Sequence, residues 1–189
     1  MNIFALDPDP VQAARWHVDK HVVNMPRETA QMLCTVLRAS LDTKQLADVE
    51  RSLGVPLHKT THANHPCTVW VGENISNWLW LKALGLALLD EHQHRYGTNR
   101  SDYRGFIASL PIPPLAKRAR TPFALAMPEW IKEAGLPPCT AYKVFYTNHK
   151  THLFSWKRRK APAWISYEML PYHDRFRRAL GIGPYLLAT

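Results

Sequence analysis

Residues 17–31 read HVDKHVVNMPRETAQ, and within them His17, Lys20, His21, Asn24, Glu28 and Gln31 carry groups that can move a proton or hold a ligand. At 100° per residue, His17, His21, Asn24, Glu28 and Gln31 fall within an arc of about 80° if one helix runs through Pro26. Val11, Val18, Val22, Met25 and Leu33 form an apolar face beside that stripe. Trp16 and Val23 lie on its other flank. A polar stripe between two apolar surfaces must be paired internally or face a cavity, because an unpaired buried polar group costs about 1–3 kcal/mol. We read it as a pocket wall, since titratable groups gather in pockets.

His17, His21 and Glu28 are the candidate acid–base residues, a carboxylate beside two imidazoles orienting and charging one of them. Lys20 could hold a phosphate or, desolvated, attack as an amine. The two histidines are four apart, a spacing that suits one metal ion. The segment is nevertheless HVDKH rather than H-E-x-x-H, and Lys20 would repel a cation, so no metal site and no cofactor is assigned. A divalent metal belongs only to an alternative reading, a metal-dependent phosphohydrolase or nuclease.

A second group lies in THANHPCTVW, where His62, Asn64 and His65 precede a helix starting at Pro66. A helix N-terminus attracts anions, so His62 and His65 are candidate phosphate contacts. Asn24, Gln31, Asn64 and Asn77 are candidate hydrogen-bonding groups for a base or sugar. A third element is SWKRRKAPAW, with Lys157, Arg158, Arg159 and Lys160 between Trp156 and Trp164. Cations interleaved with aromatics suit phosphate contact and base stacking.

The elements that must position these groups are helical. Asp9 and Pro10 make a helix start, with the helix running to about Asn24, interrupted or kinked at Pro26 and resuming to about Leu41. Residues 43–53 form a short amphipathic helix closed by Gly54. Pro66 opens a long helix, apolar nearly all round, that ends at Gly97 and should be central and buried. Residues 101–109 add a short helix. The stretch 110–128 is a long proline-rich loop of the kind that often carries function. Residues from 137 form one or two helices ending at the basic cluster before Pro162, and a short basic helical pattern follows Pro171. The expected architecture is mainly α, one helical domain over 1–189 built around a buried helix at about 66–96.

Charge narrows the partner. The chain of 189 residues has a net charge of +9. From Lys143 onward it has nine Lys/Arg against Glu168 and Asp174, a net of +7. A focused basic region attracts phosphates, so nucleic acid, in the first place DNA, or a nucleotide is the expected partner. Three cysteines without close spacing argue against a disulfide framework and for a reducing compartment. The start MNIFALDPDP has no signal-peptide pattern, and NWLWLKALGLALL, broken by Lys82, is short for a bilayer. A cytoplasmic protein without membrane contact is expected, in an oligomeric state that stays open.

Together DKHVV (19–23), ETAQ (28–31), THANHPCTVW (61–70), TPFALAMP (121–128), AYKVFY (141–146) and WKRRKAPAW (156–164) resemble a family of small proteins encoded by tailed bacteriophages. The resemblance covers residues 1–164 in order and spacing. The chain departs from it at NMP (24–26), where the family pattern has Lys-Met and no proline. The resemblance implies nucleic-acid or nucleotide metabolism, with DNA repair or base modification as the role and the host-cell cytoplasm as the place. Phage pyrimidine-dimer glycosylases use an N-terminal threonine amine. This chain starts Met-Asn, so that mechanism is not expected to carry over. The first reading is an enzyme acting on DNA bases or nucleotides, by glycosidic-bond cleavage or base modification; the alternative without catalysis is a nucleic-acid-binding module.

Overall fold

The computed structural model describes residues 1–98 and 100–165. Eight α-helices carry the fold, and among the described residues there is no strand. They are α1 (Pro10–Trp16), α2 (Asp19–Ser40), α3 (Thr43–Leu53), α4 (Pro66–Glu73), α5 (Ile75–Tyr96), α6 (Ser101–Ser109), α7 (Glu129–Lys132) and α8 (Pro138–His149). The mainly α expectation holds. Its predicted boundaries also hold at several caps. The Asp9 carboxylate accepts from Val11 N with Pro10 at the first helical position. Asp42 and Gln45 form a reciprocal capping box at α3, and Gly54 ends that helix at φ 68°.

Three expectations about helix continuity are corrected. The first helix stops at Trp16, because His17 and Val18 are both extended and α2 starts afresh at Asp19. His17 therefore does not share a continuous face with His21. Pro26, conversely, neither breaks the chain nor starts a helix. It lies inside α2, which gives up one backbone hydrogen bond there and carries on to Ser40. The expected long helix at 66–96 is two helices. Asn74 is extended at φ −162°, its side chain accepts from Asn77 N, and Ile75 N turns outward to Ala116 O. The helix predicted to reach the basic cluster ends at His149, and a 3₁₀ turn (Thr151–Leu153) and loop follow. The short pattern after Pro171 lies outside the described residues.

The core forms where α5 packs on α1, α2, α4 and α6. Trp78, Leu81, Leu84 and Leu88 of α5 are fully buried against Val22, Leu33 and Leu37 of α2 among others. Gly85 allows the close approach of α5 to α2: a Cβ there would sit 2.6 Å from Thr29 Cγ2.

A buried ionic cluster ties the α1–α2 junction and the basic segment to this core. Arg95, fully buried near the end of α5, donates to Glu91 Oε1 at 2.7 Å, to Asp19 Oδ1 at 2.9 Å and to the carbonyls of His17 and Arg15. Arg159 donates two bonds of 2.9 Å to Glu91. Asp19 also accepts from Ser155 Oγ and from Lys157 N. These bonds fasten the basic segment to the α1–α2 junction. Burial alone would raise the Asp19 and Glu91 carboxyls, but the hydrogen bonds they accept outweigh it and hold both below their ordinary range.

Candidate active site

The N-terminal segment folds back over α2. Asn2 organises it. Its Oδ1 accepts from the backbone N–H of Ile3 and Phe4, and its Nδ2 donates to Ala126 O at 2.7 Å. Its backbone N–H donates to Glu28 Oε2 at 3.1 Å. The same oxygen lies 3.7 Å from the α-amino nitrogen of Met1. Phe4 follows at φ 39°, a left-handed backbone that a bulky residue rarely adopts. Held strain of this kind clusters at functional sites.

That conformation lays the Phe4 ring flat on His21, with centroids 4.3 Å apart and planes 11° apart. His21 Nδ1 lies 2.5 Å from the hydroxyl of Tyr146 on α8. Burial first, then the charges at His17, Lys150, Lys20 and His152, lowers the His21 pKa to about 3. Burial raises Tyr146 well above its ordinary value, against a backbone hydrogen bond from Val18. Both groups are therefore neutral at neutral pH. Among the described residues, His21 Nε2 has no partner.

These groups surround a cavity of about 300 Å³, lined by Met1, Asn2, Phe4, Lys20, His21, Asn24, Met25 and Glu28 from the N-terminal side and by Phe145, Lys150 and Leu153 from the other. The ammonium of Lys150 lies 5.2 Å from the Phe145 ring centroid and 5.9 Å from that of Phe4.

Of the stripe predicted on 17–31, the structure brings His21, Asn24 and Glu28 to this cavity, and Lys20 joins them. His17 and Gln31 do not line it. His17 is fully buried behind His21, its ring 6.1 Å away and its Nδ1 2.7 Å from Ala13 O. Burial lowers its pKa to about 4. The break at Val18 turned it off the stripe.

The second group divides. His65 caps α4, its Nδ1 accepting from Cys67 N. It also lies within electrostatic reach of the site: burial lowers its pKa first, the ammonium of Met1 and His62 add to that, and Glu28 opposes them. His62 adopts φ 49° with its Nδ1 2.7 Å from Thr61 Oγ1, and Asn64 is exposed. Asn77 belongs elsewhere. Buried, it donates to Trp70 O and Thr121 Oγ1 and accepts from Thr121 N, fastening the proline-rich loop to α5.

The basic segment also divides. Lys157, Arg158 and Lys160 are exposed, whereas Arg159 is committed to Glu91. Trp156 Nε1 donates to Trp16 O, and Trp164 packs edge-on against Trp16 and Tyr146. Both indoles are half-buried in these contacts. Sequence reasoning missed Met1, Asn2, Phe4, Tyr146 and Lys150 as site residues. AYKVFY was noticed only as a motif, and nothing local to MNIF points to Glu28. Among the described residues no three His, Cys, Asp or Glu side chains gather closely enough to hold a metal ion.

Among the described residues the fold is all α, with a polar pocket lined in part by the chain's own first residues. The model of the pyrimidine dimer DNA glycosylase family matches residues 1–104, more than half of the 189, and the chain belongs to that family. It is a DNA-repair enzyme of the glycosylase type, with DNA as substrate. No curated protein and no solved structure matches it. The matched stretch holds His21 and Glu28, while Tyr146, Lys150 and the basic segment lie beyond it.

Proposed function

We propose that this protein excises a pyrimidine dimer from DNA, with the α-amino group of Met1 as nucleophile and Glu28 as its acid–base partner. One observation carries the reading: the Met1 nitrogen and Glu28 Oε2 are 3.7 Å apart at the cavity. The expectation that a terminal-amine mechanism does not carry over rested on the missing threonine. The chemistry needs the amine and not a threonine side chain.

In the proposed reaction Glu28 takes a proton from the ammonium, and the free amine attacks C1′ of the damaged nucleotide. The glycosidic bond breaks, its electron pair leaves with the pyrimidine, and the base takes up the proton that the newly bonded nitrogen releases, which restores the nitrogen lone pair. The aminosugar ring opens as Glu28 returns its proton to the ring oxygen, leaving an iminium between Met1 and C1′. Water hydrolyses that iminium and regenerates the amine.

His21 serves here as a neutral hydrogen-bond donor and not as an imidazolium acid. Tyr146 receives a bond from Val18 and gives its own proton to Nδ1, so Nε2 carries the imidazole proton toward the cavity. Lys20 and Lys150 hold phosphate oxygens, and Asn24 contacts base or sugar. Lys157, Arg158 and Lys160 add backbone contact. The phage-type motifs support work in the cytoplasm of a host cell.

The test is borohydride trapping on a duplex with one pyrimidine dimer, followed by peptide mapping. The adduct is expected on the Met1 nitrogen. Glu28→Gln is expected to lower turnover by roughly 10²–10⁴-fold with affinity for the duplex retained. An adduct on Lys20 or Lys150, or full turnover in Glu28→Gln, overturns the assignment.

A further inference from the structure

The loop between α6 and α7 carries three exposed cations within four residues, Lys117, Arg118 and Arg120. They lie outside the family match and outside the pocket. Among the described residues no carboxylate forms an ion pair with any of them. Glu73, on the same side of the α4–α5 break, gives its Oε2 to Thr121 and Asn77 instead.

Their placement argues against an ordinary solvated face. The loop is fastened to the start of α5, where Ile75 N donates to Ala116 O and Ser76 Oγ donates to Arg118 O at 2.6 Å. That end of a helix dipole is positive, so local electrostatics disfavour three cations there. The loop is also stiff, with Pro111, Pro113 and Pro114 before the cations and Pro122 after them. The Arg120 guanidinium sits 4.2 Å from the Phe123 ring centroid. Cations held in place without a counter-charge suit a polyanion, because little ordering remains to be done on binding.

The loop is also tied to the pocket. Thr121 is bonded to Asn77, and five residues later Ala126 O accepts from Asn2. Five residues span at most about 18 Å. A duplex strand presents a phosphate every ~3.4 Å, so about five lie across that span.

We propose that Lys117 and Arg118, with Arg120 beside them, form a second contact for the phosphate backbone of the duplex engaged at the pocket. The inference rests on DNA being the substrate and not on which amine attacks.

The test uses the full chain and the double variant Lys117→Ser/Arg118→Ser. Arg118 holds Ser76 through its backbone carbonyl, so that bond survives, and Arg120 keeps its seat on Phe123. Binding to an undamaged and a dimer-containing duplex is measured from low to moderate salt. The slope of log affinity against log salt is expected to fall in magnitude by about 2 on both duplexes. An unchanged slope on both overturns the proposal. A change confined to the dimer-containing duplex also overturns it, since a backbone contact does not sense the lesion. If the double variant does not fold, Lys117→Ser alone is expected to move the slope by about 1. Failure of amine trapping leaves these slopes untouched, so the two readings fail separately.

Discussion

The Phe4 ring lies flat on the His21 imidazole, 4.3 Å between centroids, and only the left-handed backbone at Phe4 puts it there. The stack covers one face of a histidine that burial keeps neutral. Phe4→Ala uncovers that face to water and reduces the burial that is the largest cause of the lowered pKa. We expect the His21 pKa to rise by at least one unit toward 6.5, read by NMR titration of its ring protons. The same variant should lose about 3–5 kcal/mol of stability, as buried Phe→Ala changes do. A His21 titration unmoved in folded Phe4→Ala would show that the stack does not set its protonation.

Asp19 does not line the cavity and serves a structural task. It joins Arg95 to Ser155 and to the backbone of Lys157. Asp19→Asn keeps the shape and removes the charge, leaving Arg95 with Glu91 as its one carboxylate partner. The expected loss is about 3 kcal/mol, near the lower end for breaking a buried pair. Because the basic segment hangs on this residue, limited trypsin digestion should cut at 157–160 faster than in the parent. Equal cleavage rates would mean that Glu91 and Arg159 hold the segment unaided.

The helices were legible where the signal was local: Asp9 with Pro10, Gly54, Pro66, and Gly97 each mark an end that the structure confirms. The break at Asn74 was not, because an apolar run hides one extended residue whose capping partner is only three positions on. Half of the site was legible for a similar reason. Lys20, His21, Asn24 and Glu28 sit on one helix, so spacing alone groups them. Lys150 reaches the same cavity and Tyr146 reaches His21 behind it, the latter from 125 residues away, and no periodicity records that. The charge at 157–160 was plain in the sequence, but the partner that commits Arg159, Glu91, lies on α5, 68 residues away, and no local pattern links the two.

Gly85 offers a direct test of how closely α5 must approach α2. In Gly85→Ala the new methyl would meet Thr29 Cγ2 at 2.6 Å, well inside van der Waals contact. Overpacking of that kind costs about 1–3 kcal/mol, more than the helix propensity gained from alanine. Thr29→Ser deletes the clashing methyl. Denaturant unfolding of both single variants and the double should therefore give a favourable coupling of at least 1 kcal/mol. Additive effects would place the strain elsewhere than between these two residues.

His17 and His21 together fix how stability responds to acid. Both are buried and neutral in the fold, with pKa values lowered from 6.5 to about 4 and about 3. Between those values and 6.5 the unfolded chain binds protons that the folded chain refuses. Their contribution is thus complete above pH 6.5 and is lost as pH falls toward 4, the direction in which the unfolded state gains protons. Well inside that window two such groups give a slope approaching 2.7 kcal/mol per pH unit, about 1.4 from each. Asp19 and Glu91, held low by their arginine partners, steepen the loss only further down, in the carboxylate range. Urea unfolding from pH 6.0 to 4.5 should show this slope, and His17→Gln should roughly halve it while leaving the cavity-facing His21 in place. A slope that His17→Gln does not change would mean that its burial carries no penalty for the charged ring, and that other groups drive the acid response.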